Sequence, residues 1–368
     1  MKKRFLGVLL SVAMVAAVLA GCGSSGAKET AAPAGSETEA ASEAASGETE
    51  AAGNTGDVIT VGFSQVGAES DWRTANSESM KSTFSTENGY NLIFDDAQQK
   101  QENQIAAIRN FIQQEVDYIV LAPVTESGWD TVLQEAKDAE IPVIIVDRMV
   151  NVSDDSLYAA WVGSNFKLEG QKACEWLKQY AAAKNMSEVN IVDIQGTIGA
   201  SAQIGRTEAL NEAVEANGWN LLAQQTGEFT KAKGQEVMES MLKQYDNINV
   251  VYCENDNEAF GAIEAIKAAG KTVGPDGDIL VMSFDTTKQG ITDTLSGDII
   301  VNTECNPLHG PRVEQRIKQL QAGETPEKQA YVEEGIYAHG SDVASVSIDG
   351  TDYEVTEVTQ DVVDARAY

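Results

Sequence analysis

Short runs of branched apolar residues recur along the chain, at 58–63, 91–95, 117–122, 141–146, 189–194, 219–224, 248–252, 279–284 and 299–303. Between most of them lie stretches with helical periodicity, such as Glu102–Gln114, where Ile105, Ile108, Phe111 and Ile112 fall on one face. The same reading predicts helices at Asp130–Ala139, Lys167–Ala183, Ser201–Asn217, Lys231–Tyr245 and Glu258–Ala269. Strand, helix and strand in this rhythm leave few solutions: right-handed βαβ crossovers feeding parallel sheets covered on both faces. A run such as Ile141-Pro142-Val143-Ile144-Ile145-Val146 suits a central strand buried on both sides. The units form two blocks divided near Gly163, so the expected fold class is α/β with two similar lobes. The last stretch differs, because Val346–Thr351 and Tyr353–Val358 predict a hairpin turning at Asp349-Gly350.

The N-terminus is of another kind. Lys2-Lys3-Arg4 precedes an apolar run from Phe5 to Ala20 that is too short and wrongly flanked for a spanning helix. It ends in Leu19-Ala20-Gly21-Cys22, which resembles a lipobox. Residues 1–21 are therefore expected to be a lipoprotein signal peptide, with Cys22 the lipidated N-terminus of the mature chain. That places the protein outside the cytoplasm, anchored to the outer face of the bacterial cell membrane or in the periplasm. Residues 23–57 are Ala, Ser, Gly, Thr and Glu with almost no branched apolar residue, and cannot bury enough surface to offset their ordering entropy. With Cys22 they read as a flexible tether, 22–57.

A net charge of −31 argues against electrostatic binding to nucleic acid or an anionic membrane surface. Cys174, Cys253 and Cys305 are scattered, no CxxC or HExxH occurs, and only His309 and His339 are present, so no metal is expected. Nucleotide motifs fail as well. Gly196-Thr197-Ile198-Gly199 lacks the third glycine of a dinucleotide fingerprint, and Ala269-Gly270-Lys271-Thr272 has alanine at 265 where a phosphate loop requires glycine. No cofactor is expected.

In open parallel sheets, ligands bind just outside the carboxyl ends of the strands. Asp147 and Arg148 follow Ile144-Ile145-Val146, and Gln195-Gly196 leads through a turn to Arg206. Glu254, Asn255 and Asp256 follow Val250–Cys253, Asp285 follows Val281–Phe284, and the loop after Val61-Gly62-Phe63 carries Glu69, Asp71, Trp72 and Arg73. Carboxylates, guanidinium groups, an amide and aromatics suit a neutral polyhydroxylated ligand: carboxylates accept hydroxyl protons, Arg and Asn donate, and an aromatic face covers a sugar's C–H patch. Taken singly, each residue also fits an ordinary role. Asp147 suits a helix N-cap or a solvated turn, Arg206 a surface ion pair, Asn255-Asp256 the cap of a helix starting at Asn257, and Trp72 plain packing. Trp129, Trp161, Trp176 and Trp219 read as packing.

Several segments together resemble the sugar-binding proteins of ABC transporters, and among them the galactofuranose-binding branch of the ribose-binding-like family. They are Val61–Gly67, Gln98–Gln104, Ala122-Pro123, Ile141-Pro142-Val143 with Asp147-Arg148, Gln195-Gly196-Thr197 with Gly199-Ala200-Ser201, and Lys233–Ser240. The resemblance spans roughly 58–340. It implies a type I periplasmic-binding fold of two Rossmann-like lobes joined by three crossing segments. The N-terminal lobe would be 58–163 plus 306–335, and the C-terminal lobe 164–305 plus 336–368. It places ligand-holding roles on Asp147, Arg148, Arg206, Phe229, Asn255 and Asp285, and in the galactofuranose branch on Glu69, Trp72 and Arg73.

The chain departs from that family at Asp285-Thr286, where Asp-Gly is usual, and at Phe284, where a smaller apolar residue is usual. In Thr303-Glu304-Cys305-Asn306 the ligand-facing side chain is left open. The implied function is a monomeric, non-enzymatic solute-binding lipoprotein that captures a monosaccharide and delivers it to an ABC permease. A receptor feeding a membrane sensor would share these features. A glycoside hydrolase would need two of Asp147, Asp256 and Asp285 about 5–10 Å apart.

Overall fold

The computed structural model describes residues 58–368; the expected signal peptide, Cys22 and the tether lie outside the described residues. The first block runs β1 (Ile59–Gln65), α1 (Asp71–Thr83), β2 (Tyr90–Asp96), α2 (Gln101–Gln113), β3 (Tyr118–Leu121), α3 (Asp130–Asp138), β4 (Val143–Val146) and β5 (Ala160–Gly163). The second runs α4 (Phe166–Ala183), β6 (Asn190–Gln195), α5 (Ser201–Asn217), β7 (Asn220–Thr226), α6 (Lys231–Gln244), β8 (Val250–Cys253), α7 (Asp256–Ala268), β9 (Leu280–Asp285), α8 (Lys288–Ser296) and β10 (Val301–Glu304). Then come α9 (Gly310–Gln321), β11 (Gln329–Tyr331), β12 (Ile336–Ala338), β13 (Ser345–Ile348), β14 (Thr351–Glu357) and α10 (Gln360–Ala365).

These strands form two sheets. The first has the order β11-β5-β4-β3-β1-β2 with every neighbouring pair parallel. The second has the order β13-β14-β12-β10-β9-β8-β6-β7, antiparallel only at β10–β12 and β13–β14. Side chains of the central strands alternate between two cores per sheet. In the first sheet Ile119, Leu121, Val143 and Ile145 pack under α2 and α3, while Val120, Ile144 and Val146 pack with Val313 and Ile317 of α9. In the second, Tyr252 and Met282 join Trp176 and Leu177 of α4, while Val251 and Val281 join Met238 and Ile266 on the opposite face. Continuous apolar runs are what strands covered on both faces require.

The chain passes between the sheets three times: after β5, between β10 and α9, and between β11 and β12. The alternation read from the sequence is borne out. Each expected helix lies within two residues of its expected bounds, and the hairpin turns at Asp349 and Gly350, whose φ values of 50° and 80° match a two-residue turn. One stretch differs. The expected loop carrying Asp71, Trp72 and Arg73 is the first turn of α1, capped by Ser70 accepting from the Arg73 N–H at 3.1 Å. Its sequence is too polar to show an apolar stripe, so only tertiary packing of Trp72 and Met80 marks it as helix.

Trp176 is 1 % exposed and stacks on Tyr180 at 4.7 Å within the α4 core, far from any strand end. Trp176→Ala is expected to lower the free energy of unfolding by about 3–5 kcal/mol, read as a reduced midpoint in urea.

Candidate functional site

The two sheets point the carboxyl ends of their parallel strands at one cavity. All nine side chains singled out from the sequence line it: Glu69, Trp72, Arg73, Asp147, Arg148, Arg206, Phe229, Asn255 and Asp285. Ser70, Phe166, Ala202 and Cys305 complete the lining. Cys305 is thus the member of Thr303–Asn306 that reaches the cavity.

The backbone at the strand ends is strained where the polar residues stand. Asp147 (φ 64°), Phe229 (φ 60°) and Asp285 (φ 99°) all lie in the left-handed region, a conformation that costs an ordinary residue of order 1–3 kcal/mol and clusters at functional sites. Thr286 is left-handed too, at φ 56°, so the glycine usual at that place in similar proteins would relieve a β-branched residue. Gly196 is required for a different reason: a Cβ there would lie 1.9 Å from Phe229 Cζ, so only glycine leaves room for the ring.

Two buried ion networks face each other across the cavity. On the first-sheet side Arg73 lies between Glu69 (Nε–Oε1 2.9 Å) and Asp147 (Nη1–Oδ2 2.8 Å), with Arg148 Nη2 3.7 Å from Glu69. Burial opposes the Arg73 charge, but the Asp147 and Glu69 carboxylates outweigh it and hold the guanidinium above its ordinary range. Arg148 has less support. Burial and the neighbouring Arg73 bring it down to about 10. Arg148 Nη1 donates to Val124 O at 2.9 Å and its guanidinium sits 5.1 Å from the Phe229 ring.

On the second-sheet side Arg206 donates to Glu169 (Nε–Oε2 2.9 Å) and lies 3.6 Å from Asp285. Phe284 carries this guanidinium on its ring face at 4.7 Å, which accounts for a large aromatic at that position. Burial pushes the Asp285 carboxyl well up, with Arg206 working against it.

Some acceptors in this lining are left over. Glu69 Oε2 has no hydrogen-bond partner, and Asp147 Oδ2 has only the Arg73 contact, without a well-directed hydrogen bond. Buried polar groups are ordinarily satisfied, so an unpaired carboxylate oxygen on a residue of the cavity lining points to a ligand with donors. Asn255 lines the cavity and also serves as a helix cap. Its Oδ1 caps α7 by accepting from the Glu258 N–H at 2.8 Å, and its Nδ2 donates to Phe229 O at 3.1 Å on the cavity rim. Asp256 does not reach the cavity; Ser283, Thr287 and Asn302 occupy both its oxygens.

The lobes are also bridged directly. Glu126 N–H donates to Gly199 O (2.9 Å), Met149 N–H to Ser201 Oγ (2.9 Å) and Asp71 N–H to Asn257 Oδ1 (3.1 Å). Trp72 Nε1 donates to Cys305 O at 2.6 Å, tying α1 to the second crossing. Strand-end reading passed over Phe166 and Glu169 because both lie on α4, which follows a crossing. The Asn165 cap of that helix was the one local signal.

The sequence profile of the periplasmic binding protein domain matches residues 61–302. The chain is 42% identical to the galactofuranose-binding protein YtfQ of Escherichia coli (strain K12), over 76% of this chain and 87% of that protein. It also resembles the crystal structure of a Mycobacterium smegmatis protein in complex with β-D-fucofuranose, with a TM-score of 0.73 and 43% identity over 76% of this chain and 91% of that one. The binding protein of the arabinose ABC transporter from Shewanella sp. ANA-3, bound to α- and β-L-arabinofuranose, gives 0.71 and 42% over 76% and 92%.

His309, beside Trp72 at a ring distance of 6.0 Å, is fully buried, and neither ring nitrogen has a partner. Burial brings its pKa down to about 4. Since the charged form is disfavoured only in the fold, the unfolded chain binds the extra proton between the ordinary histidine value and about 4. Stability is therefore lost as pH falls through that window, by about 3 kcal/mol in total. His309→Phe is expected to flatten that part of the acid unfolding profile.

Proposed function

The chain belongs to the periplasmic binding protein family, and from that premise we propose that it captures a monosaccharide between two lobes and delivers it to an ABC permease. The observation that carries this is the cavity itself: nine charged, polar and aromatic side chains converge from both sheets, with Glu69 Oε2 still unpaired. Arg73 and Arg206 compensate the carboxylates around them, so a neutral ligand can be held without bringing charge. Its hydroxyls donate to Glu69 and Asp147 and accept from Arg148 and Asn255, while Trp72 and Phe229 cover its apolar face.

The ligand class is a furanose. Galactofuranose, fucofuranose and L-arabinofuranose, the sugars named for the three relatives, share one five-membered ring with the same stereochemistry and differ in the substituent at C4. The side chains of both walls grip that ring, and enclosure between the lobes hinders the access of polymers. The lobes are 58–163 plus 306–335 and 164–305 plus 336–368, closing about the three crossings. A ligand that touches both lobes is compatible only with the closed form, so its differential affinity drives closure. Leu19-Ala20-Gly21-Cys22 supports lipidation at Cys22, which would keep the protein beside its permease.

Titration calorimetry of the purified protein tests this against galactofuranose, fucofuranose, L-arabinofuranose, galactopyranose, ribose and glucose, with each mixture analysed afterwards for turnover. Tight binding of a furanose recovered unchanged is expected. Hydrolysis of a glycoside, or no binding across the panel, would overturn the reading. Asp147→Ala is expected to cost about 3 kcal/mol of affinity, roughly a hundredfold, because Arg73 and the sugar lose a shared buried acceptor.

A further inference from the structure

The three chain crossings meet at one carboxyl. Glu334, on the third crossing, accepts at Oε1 from Ser164 Oγ of the first (2.7 Å) and from the Asn306 N–H of the second (2.6 Å). Behind it stands Glu169 of α4, buried, with Oε2 spent on Arg206 and Oε1 without a donor. One oxygen of each carboxyl and the sulfur of Cys305 lie within 4.8 Å of one another, and the two carboxyls are within hydrogen-bonding reach. Two ionised carboxylates in that position would repel each other with no donor between them. A single proton removes the repulsion and supplies the donor.

We propose that Glu334 is kept as a neutral carboxylic acid whose Oε2–H donates to Glu169 Oε1, so that one proton ties the carboxyl at which the three crossings meet to α4 and steadies the carboxylate that holds Arg206 in the cavity. Glu334 is thereby a positioning residue for the sugar, a role that rests on the reading of the cavity given above.

The surrounding charges decide which carboxyl keeps the proton. Burial pushes the Glu169 carboxyl up as well, but the Arg206 guanidinium of α5, with Nε at 2.9 Å and Nη2 at 2.8 Å, works against it and favours its ionised form. Glu334 receives only neutral donors at its carboxyl. Lys172 of α4 donates instead to the Glu334 backbone carbonyl at 2.8 Å and lies over the Tyr353 ring at 4.3 Å. Glu304 of β10 adds negative charge, itself held by Arg366 at 3.0 Å and Tyr368 at 2.7 Å, and Asp285 of β9 and the Cys305 thiol lie further along the same wall. Burial first, and then the Glu169 charge, push the Glu334 carboxyl well above the ordinary glutamate range. The outer side of the clasp opens on a groove lined by Tyr331, Glu333 and Tyr353, so the proton can exchange with solvent.

Glu334→Gln separates a proton-carrying role from a merely structural one, because its amide donates to Glu169 and its carbonyl accepts from Ser164 and Asn306 permanently. The wild-type infrared spectrum at neutral pH, minus that of Glu334→Gln, is expected to show the carbonyl band of a protonated carboxylic acid. L-arabinofuranose affinity of the wild type is expected to fall about tenfold or more between neutral and alkaline pH. Glu334→Gln should lose clearly less affinity than the wild type over that range, keeping only the loss that comes from discharge of Arg148, and Glu334→Ala should bind weakly at every pH. Because the folded pKa is raised, the stability this proton confers is complete below the ordinary glutamate pKa and is lost as pH rises. The melting temperature of Glu334→Gln should therefore gain on the wild type as pH rises.

Absence of the carbonyl band, or Glu334→Gln behaving as Glu334→Ala, would overturn the proposal. The band needs no ligand. If it is present and no sugar binds at any pH, the proton clasp stands and the sugar reading falls.

Discussion

Everything at this site depends on the mutual compensation of buried charges. Arg73 between Glu69 and Asp147, and Arg206 between Glu169 and Asp285, are nearly inaccessible to water. A lone ion there would face a desolvation penalty of several kcal/mol, and the partners repay it only while the geometry is held. The sheets hold it. Asp147 and Asp285 end β4 and β9, strands fixed by cores on both faces, while Arg73 and Arg206 ride on helices packed against those sheets. The rigid two-core layering is what lets left-handed backbone persist at Asp147, Phe229 and Asp285.

The charge networks also explain why fold and site were unequally legible in the sequence. The sheets were legible because continuous apolar runs and the 3.6-residue period of the helices between them carry strong hydrophobic signals, as in Ile119–Leu121 and Ile105–Ile112. The strand-end residues were legible because parallel topology dictates where ligands go. The family resemblance supplied Phe229, and with it the pairing of Glu69 with Trp72 and Arg73.

What escaped was whatever depends on three-dimensional return of the chain. α1 is almost uniformly polar, and its helix rests on packing by Trp72 and Met80. Glu169 lies within the first turn of α4, where a charged residue usually faces water, and only Arg206, 37 positions away, gives it a reason to be buried. Glu334 sits in a short link between two three-residue strands, with no local pattern to set it apart. Cys305 could be placed on a crossing but not oriented, since a crossing strand alternates faces without a hydrophobic run to fix the register.

The direct bridges between the lobes have a kinetic meaning. With Glu126 bonded to Gly199, Met149 to Ser201 and Asp71 to Asn257, the lobes cannot part without breaking these bonds. For a guest that leaves only as the lobes part, the waiting time belongs to the protein more than to the guest. Sugars that differ in how well they fit would differ in how often they are caught closed, while those once enclosed would leave at rates converging on a common opening rate. Residence time becomes a property of the bridges and crossings, and it can be tuned there without altering a single group that touches the ligand.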